Sequence, residues 1–265
     1  MRNVIAILHK EWLELRYDRQ ILLGTLIPPL IFTVLPILFG YIIGHAPLGE
    51  INRAGLAPGA TAPNTRLENL SVQEVAQVLI SQQFSLLFFL MPMIIPSVIA
   101  SYSIIGEKTR RTLEPVLATP VRTWELLLAK SLAALLPAVA ITWLSGGIFV
   151  AGMAAVALSG RVFRAVVTPG WLLILLVCAP LISLIVIAAM IAISARVQDP
   201  RTAQQLSAFI LVPFMAIFFG QLSGLLVLNP AFVLGASVAL VACNVLALRL
   251  VTGLFQREVI LTRWR

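Results

Sequence analysis

Six apolar stretches, each about as long as the roughly 20 residues a helix needs to cross a bilayer, leave this chain little room for anything else. They run over 21–44, 84–105, 131–158, 171–195, 208–228 and 231–251. Of the 265 residues 60% are hydrophobic, well above the roughly 45–50% of a soluble domain. Only 1–20, 45–83, 106–130 and the tail from Thr252 are sizeable between them. The pattern predicts an all-α integral membrane protein with six transmembrane helices. It forms one domain over 1–265, with no separate soluble domain.

The net charge of +8 is a matter of topology. Of the 19 Lys and Arg, all but Arg53, Arg66, Arg161 and Arg164 fall before the first stretch, between the second and third, after the fourth, or at the end of the chain. By the positive-inside rule this places both termini in the cytoplasm, in a multi-pass protein of the plasma or inner membrane. Anionic lipid headgroups are the expected neighbours of the basic residues; nucleic acid is not an expected partner.

The first 20 residues mix charges with hydrophobes and lack the apolar core of a signal peptide. Val4, Ile5, Leu8, Trp12 and Leu15 share one helical face, with Lys10, Glu14 and Asp18 opposite. That is the pattern of an amphipathic helix in the membrane interface. In the loop after the first span, Ser71-Val-Gln-Glu74 has the form of a capping box that starts a helix. Thr168-Pro169 has the form of an N-cap followed by a first-turn proline. Asn69-Leu-Ser71 matches a glycosylation acceptor, a short and common pattern. Cys178 and Cys243 fall inside spans and read as small buried hydrophobes. His9 and His45 lie on opposite sides of the membrane and cannot share a metal.

No Asp, Glu, Lys or Arg lies in the middle of any span. Ion-coupled carriers generally place ionisable groups there. The polar residues that remain include Ser101, Tyr102, Thr142, Gln221 and Asn244, which either line a pathway or bond between helices. Gly40-x-x-x-Gly44 and Gly220-x-x-x-Gly224 permit close helix approach. Prolines interrupt most spans, and around 220–235 the breaks are dense enough for a re-entrant segment.

The segment 106–130 is a charged island in a chain with only 11% charged residues. Its sequence Glu107-Lys-Thr-Arg-Arg-Thr-Leu-Glu-Pro-Val-Leu-Ala-Thr-Pro-Val121, followed by Glu125-Leu-Leu-Leu-Ala-Lys130, resembles the signature of the permeases of type-2 ATP-binding-cassette (ABC) exporters. The leader Lys10-Glu11-Trp-Leu-Glu-Leu-Arg16-Tyr-Asp-Arg19 resembles that family's interfacial helix. Ser194-Ala-Arg196-Val-Gln-Asp-Pro-Arg-Thr-Ala-Gln-Gln205 resembles its second cytoplasmic loop. Arg111 departs from the pattern, standing where a small residue is usual before Thr-Leu-Glu.

The resemblance implies the ABC type-2 exporter fold and a permease, not an enzyme, coupled to a separate ATPase subunit. In such a permease the first cytoplasmic loop docks on the ATPase. Glu107, Arg110, Arg111 and Glu114 then make charged contacts, Leu113 and Leu117 an apolar patch, and Thr119 the cap of the next helix. Arg196, Asp199, Arg201 and Gln204 belong to the second cytoplasmic loop. The sequence has no Gly-x-x-x-x-Gly-Lys-Ser/Thr phosphate loop, so no cofactor is expected on this chain, and ATP and Mg belong to the partner ATPase. A homodimer, or a heterodimer with a second permease, forms the pathway, surrounded by membrane lipids. An ion-coupled secondary carrier and a structural membrane subunit of another complex are the alternatives.

Overall fold

The computed structural model describes residues 2–45, 70–105, 123–194, 197, 199–222 and 230–254. All the regular structure there is helical: α1 (Arg2–Tyr17), α2 (Arg19–His45), α3 (Val72–Ser85), α4 (Met91–Ala100), α5 (Thr123–Val156), α6 (Gly160–Val166), α7 (Pro169–Leu173), α8 (Ala179–Ser194), α9 (Pro200–Leu222) and α10 (Pro230–Leu254). A 3-10 turn, Leu86–Leu90, joins α3 to α4; π-helical turns, Ser101–Ile105 and Ile174–Cys178, follow α4 and join α7 to α8.

The expectation of six spans needs correction. Among the described residues four helical stretches are long and apolar enough to cross a membrane: Arg19–His45, Val72–Ser103, Glu125–Val156 and Pro169–Ser194. The last two helices each include residues whose side chains lie outside the described residues. α9 opens on the polar run Pro200-Arg-Thr-Ala-Gln-Gln205, and its apolar part follows from Leu206. In α10, Pro230–Leu254, the apolar stretch lying wholly among the described residues is Phe232–Ala247. Residues 223–229, where a re-entrant turn was expected, lie outside the described residues, as does the second half of Gly220-x-x-x-Gly224.

The first span is built inside out compared with a helix in water. α2 buries Thr25, Pro29, Thr33, Pro36, Gly40 and Gly44 at intervals of three or four residues. It exposes Leu23, Leu26, Leu30, Val34 and Leu38. Small residues inward and large apolar ones outward suit a helix whose solvent is lipid, where close backbone approach drives association. Gly40 and Gly44 show that approach. A Cβ at Gly40 would stand 3.2 Å from Ser81 Oγ, and one at Gly44 3.1 Å from Gln77 Nε2.

Helix irregularities follow from missing proline donors. Pro92 cannot supply an N–H to Phe88 O, and the Met91 N–H fills that acceptor in a tighter 3-10 turn. Pro96 cannot supply one to Pro92 O, so Ser183 of α8 donates its hydroxyl across the interface at 3.1 Å. At the start of α8 the Ala179 N–H reaches back to Ile174 O. In that wider register the donor for Leu175 O is residue 180, a proline, and the indole N–H of Trp143 takes its place at 3.1 Å. In an apolar medium each orphaned carbonyl is costly, so a neighbouring span supplies what the proline withholds.

At the end of the bundle near His45, Gln77 does the same for a helix terminus. It is fully buried. It donates to Gly40 O (2.8 Å) and to Val156 O in the last turn of α5 (3.1 Å), and accepts from the Leu158 N–H (3.1 Å). The capping box stands as expected: Ser71 N–H donates to Glu74 Oε2 at 2.8 Å and Glu74 N–H to Ser71 Oγ at 3.2 Å. Glu74 Oε1 also accepts from Ser159 Oγ at 2.6 Å. Thr168 caps α7 by accepting from the Trp171 N–H, with Pro169 in the first turn. Between the two ends, Phe88, Phe149 and Trp171 pack ring on ring, with centroids 5.1–5.5 Å apart.

Cys178 is buried and lies 3.3 Å from Ser237 Oγ. Cys243 is exposed on α10, so the expectation that both are buried holds for the first alone.

Replacing Gln77 by Leu orphans Val156 O and the Leu158 N–H together. The expected loss of stability is about 1–3 kcal/mol, read as a lower melting temperature in detergent. An unchanged melting temperature contradicts this account of Gln77.

Candidate functional site

The residues expected to dock on an ATPase, Glu107, Arg110, Arg111, Leu113, Glu114, Leu117 and Thr119, lie outside the described residues, as does Arg196. The structure does describe what holds the two flanks of that segment. The helical run before it ends on the π turn Ser101–Ile105, and α5 begins after it at Thr123. Both flanks meet α1.

The meeting point is a buried ion pair. Lys130 Nζ lies 2.8 Å from Glu11 Oε1, and each side chain is only 3% exposed. Ser103 completes the group: its hydroxyl donates to Glu11 Oε2 at 2.6 Å. The ammonium also donates to Ser103 O at 2.9 Å and to Ser103 Oγ at 3.2 Å. Two opposite charges leave water together here, and each finds further hydrogen bonds, the condition under which burial of charge is tolerable.

Local sequence explains how Glu11 comes to point inward. α1 runs as a separate helix that breaks at Asp18, whose carboxylate caps α2 by accepting from the Gln20 N–H at 2.9 Å. Along α1 the half-buried Val4, Leu8 and Leu15 are in step with Glu11, while Ile5, Trp12 and Tyr17 are exposed. The charged face expected opposite is present, with Lys10 and Glu14 paired at 3.3 Å in the open. One helix thus presents three faces: an exposed apolar rim, a polar side, and a core-facing stripe carrying one carboxylate. That last stripe packs along α5, which carries Lys130.

A second tie lies beside the first. Tyr102 donates its hydroxyl to Gln20 Oε1 of α2 at 3.2 Å. The π turn before 106–122 is therefore attached to α1 through Ser103 and to α2 through Tyr102.

The other polar residues singled out from the sequence are not gathered into one site. Ser101 is buried and donates to Val98 O, and Thr142 donates to Ala138 O, each within its own helical run. Asn244 crosses from α10 to Leu181 O at 3.0 Å and also donates to Leu240 O. Gln204 and Gln221 are in α9, their side chains outside the described residues. In the second loop Asp199 caps α9: its Oδ2 accepts from the Thr202 N–H at 2.9 Å and hydroxyl at 3.0 Å. Arg201 is exposed in the first turn. The Asp199-Pro200 pair, a cap before a first-turn proline, was a legible start signal for this helix, eight residues ahead of the expected span. Among the described residues, no group of three or more His, Cys, Asp or Glu is placed to hold a metal ion.

Removing one member of the ion pair leaves the other charge buried alone. Lys130→Met or Glu11→Leu singly is expected to cost about 3–5 kcal/mol. The double variant Glu11→Leu/Lys130→Met should recover most of that loss, since a well-packed apolar pair is often as stable as a buried ionic one. Thermal unfolding in detergent reads both; additive losses in the double variant contradict the pairing.

A comparison with curated proteins finds no match. The family model described as ABC-2 family transporter protein matches residues 5–255. That range takes in most of α1, the four apolar helical stretches, the ion pair and the charged segment it flanks. The chain belongs to the ABC-2 family of membrane transporter proteins.

Proposed function

We propose that this chain is the permease subunit of an ABC exporter, forming the substrate pathway and coupling to a separate ATPase subunit through the segment 106–122. The observation that carries this reading is the family match over nearly the whole chain. The sequence of the segment supports the coupling role. Its acids Glu107 and Glu114 and its apolar Leu113 and Leu117 sit among the arginines, a mixture suited to gripping a protein. Energy from ATP also suits the described spans, whose charged residues lie within the first two turns of their helices: Arg19, Glu74, Glu125 and Lys130.

In this reading the end of the bundle holding α1 and Lys130 faces the cytoplasm, and the opposite end, with Arg161 and Arg164, faces outward. The membrane is the plasma or inner membrane. ATP and Mg bind the partner, and two permeases, identical or sister chains, enclose the pathway.

Two experiments test the proposal. In a background lacking Cys178 and Cys243, single cysteines at Ala60 or Gly160 should react with an impermeant thiol reagent added outside, and those at Thr109 or Thr202 should not. Reaction with the reverse sidedness contradicts the orientation. The chain purified from its native membrane should carry an ATPase subunit. Glu114→Lys, which reverses a contact worth about 2–5 kcal/mol where buried, should release it, and Leu113→Ser with Leu117→Ser should weaken it. Full retention in both variants would falsify the docking assignment.

A further inference from the structure

The group Glu11–Ser103–Lys130 sits at a revealing place in the chain. Ser103 lies just before the segment 106–122, Lys130 just after it, and Glu11 comes from a helix that a membrane anchor alone does not require to be charged inward. If α1 served only to lie in the interface, its exposed Ile5, Trp12 and Tyr17 would suffice, and its core-facing stripe would be apolar throughout. Instead one carboxylate reaches both flanks at once, with one oxygen for each: Oε1 takes the ammonium, Oε2 the serine hydroxyl.

We infer that Glu11 and Lys130, with Ser103, are positioning residues that bind both flanks of 106–122 to α1, so that α1 and those flanks move as one body. This rests on the coupling role proposed for the segment and adds α1 to the moving part. An apolar contact has no preferred direction and can slide along a helix. An ion pair with shared hydrogen bonds fixes register and orientation. A force applied at the segment then reaches α5 through Lys130 and the α3–α4 run through Ser103, and the register between them is kept by one side chain on α1. Tyr102 to Gln20 extends the same tie to the first span.

The test uses Glu11→Leu/Lys130→Met, which removes the directional bonds without orphaning a charge, beside Lys130→Arg, which keeps the pair. Both full-length chains are placed in phosphatidylethanolamine–phosphatidylglycerol vesicles. In the first arm trypsin is added on the side of the segment. Cleavage at Lys108, Arg110 or Arg111 should be about tenfold faster in the double variant, with cleavage at Arg201 and the melting temperature nearly unchanged. Lys130→Arg should match the native chain. In the second arm the ATPase subunit that copurifies with the native chain is added to each. The double variant should bind it within about threefold of the native affinity yet lose about tenfold of the stimulated ATP turnover, and Lys130→Arg should restore that turnover.

Native cleavage rates and native stimulation in the double variant overturn the inference, since the pair is then only packing. A Lys130→Arg chain as defective as the double variant also overturns it. The first arm needs no ATPase, so it decides the tie by itself even if the permease reading fails.

Discussion

The ion pair of Glu11 with Lys130 is the contact on which the arrangement of this end of the molecule depends. A carboxylate and an ammonium have been taken out of water where each alone is prohibitive, and they are kept there by a serine that serves both. Three elements far apart in sequence, α1, the π turn at 101–105 and α5, are held to one geometry as a result. Two of them, the π turn and α5, flank the charged segment in the sequence. Its flanks are thereby set relative to the spans before any partner is present.

The rest of the bundle obeys a related constraint, that of backbone polar groups in an apolar solvent. Prolines withdraw donors inside the spans, and neighbouring side chains return them: Ser183 to Pro92 O, Trp143 to Leu175 O. At the opposite end Gln77 serves a helix terminus in the same way. These are interhelical bonds made between a side chain and a backbone group that its own helix cannot satisfy. They fix which spans are neighbours and leave the large apolar side chains of α2 and α10 to the lipid. The local irregularities mark where one helix is fastened to another, so the prolines here tie the bundle together as much as they bend it.

Much of this was legible in the sequence where the signal is local. The Ser71–Glu74 box and the Thr168-Pro169 cap each require only a few adjacent residues, and both are present. The close approach at Gly40 and Gly44 follows from the absence of side chains, although nothing in the pattern named α3 and α5 as the helices approached. The count of spans was less secure. Hydropathy marks six apolar stretches, whereas four helical stretches among the described residues are long and apolar enough to cross a membrane; the window 208–228 begins inside α9, which starts at Pro200, and 231–251 lies within α10. The ion pair was out of reach because charge in a leader or beside a span is ordinary. Only the inward step of Glu11, in phase with Leu8 and Leu15, hinted at it. No local pattern pairs Glu11 with a lysine more than a hundred residues away.

The central claim is that α1 and the flanks of the charged segment form one rigid body. A distance between spin labels at His9 on α1 and Leu128 on α5, both exposed, measures it most directly. In vesicles containing the copurified ATPase, the account predicts a single distance that is the same without nucleotide and with ATP trapped. A distance that shifts or splits when ATP binds contradicts it.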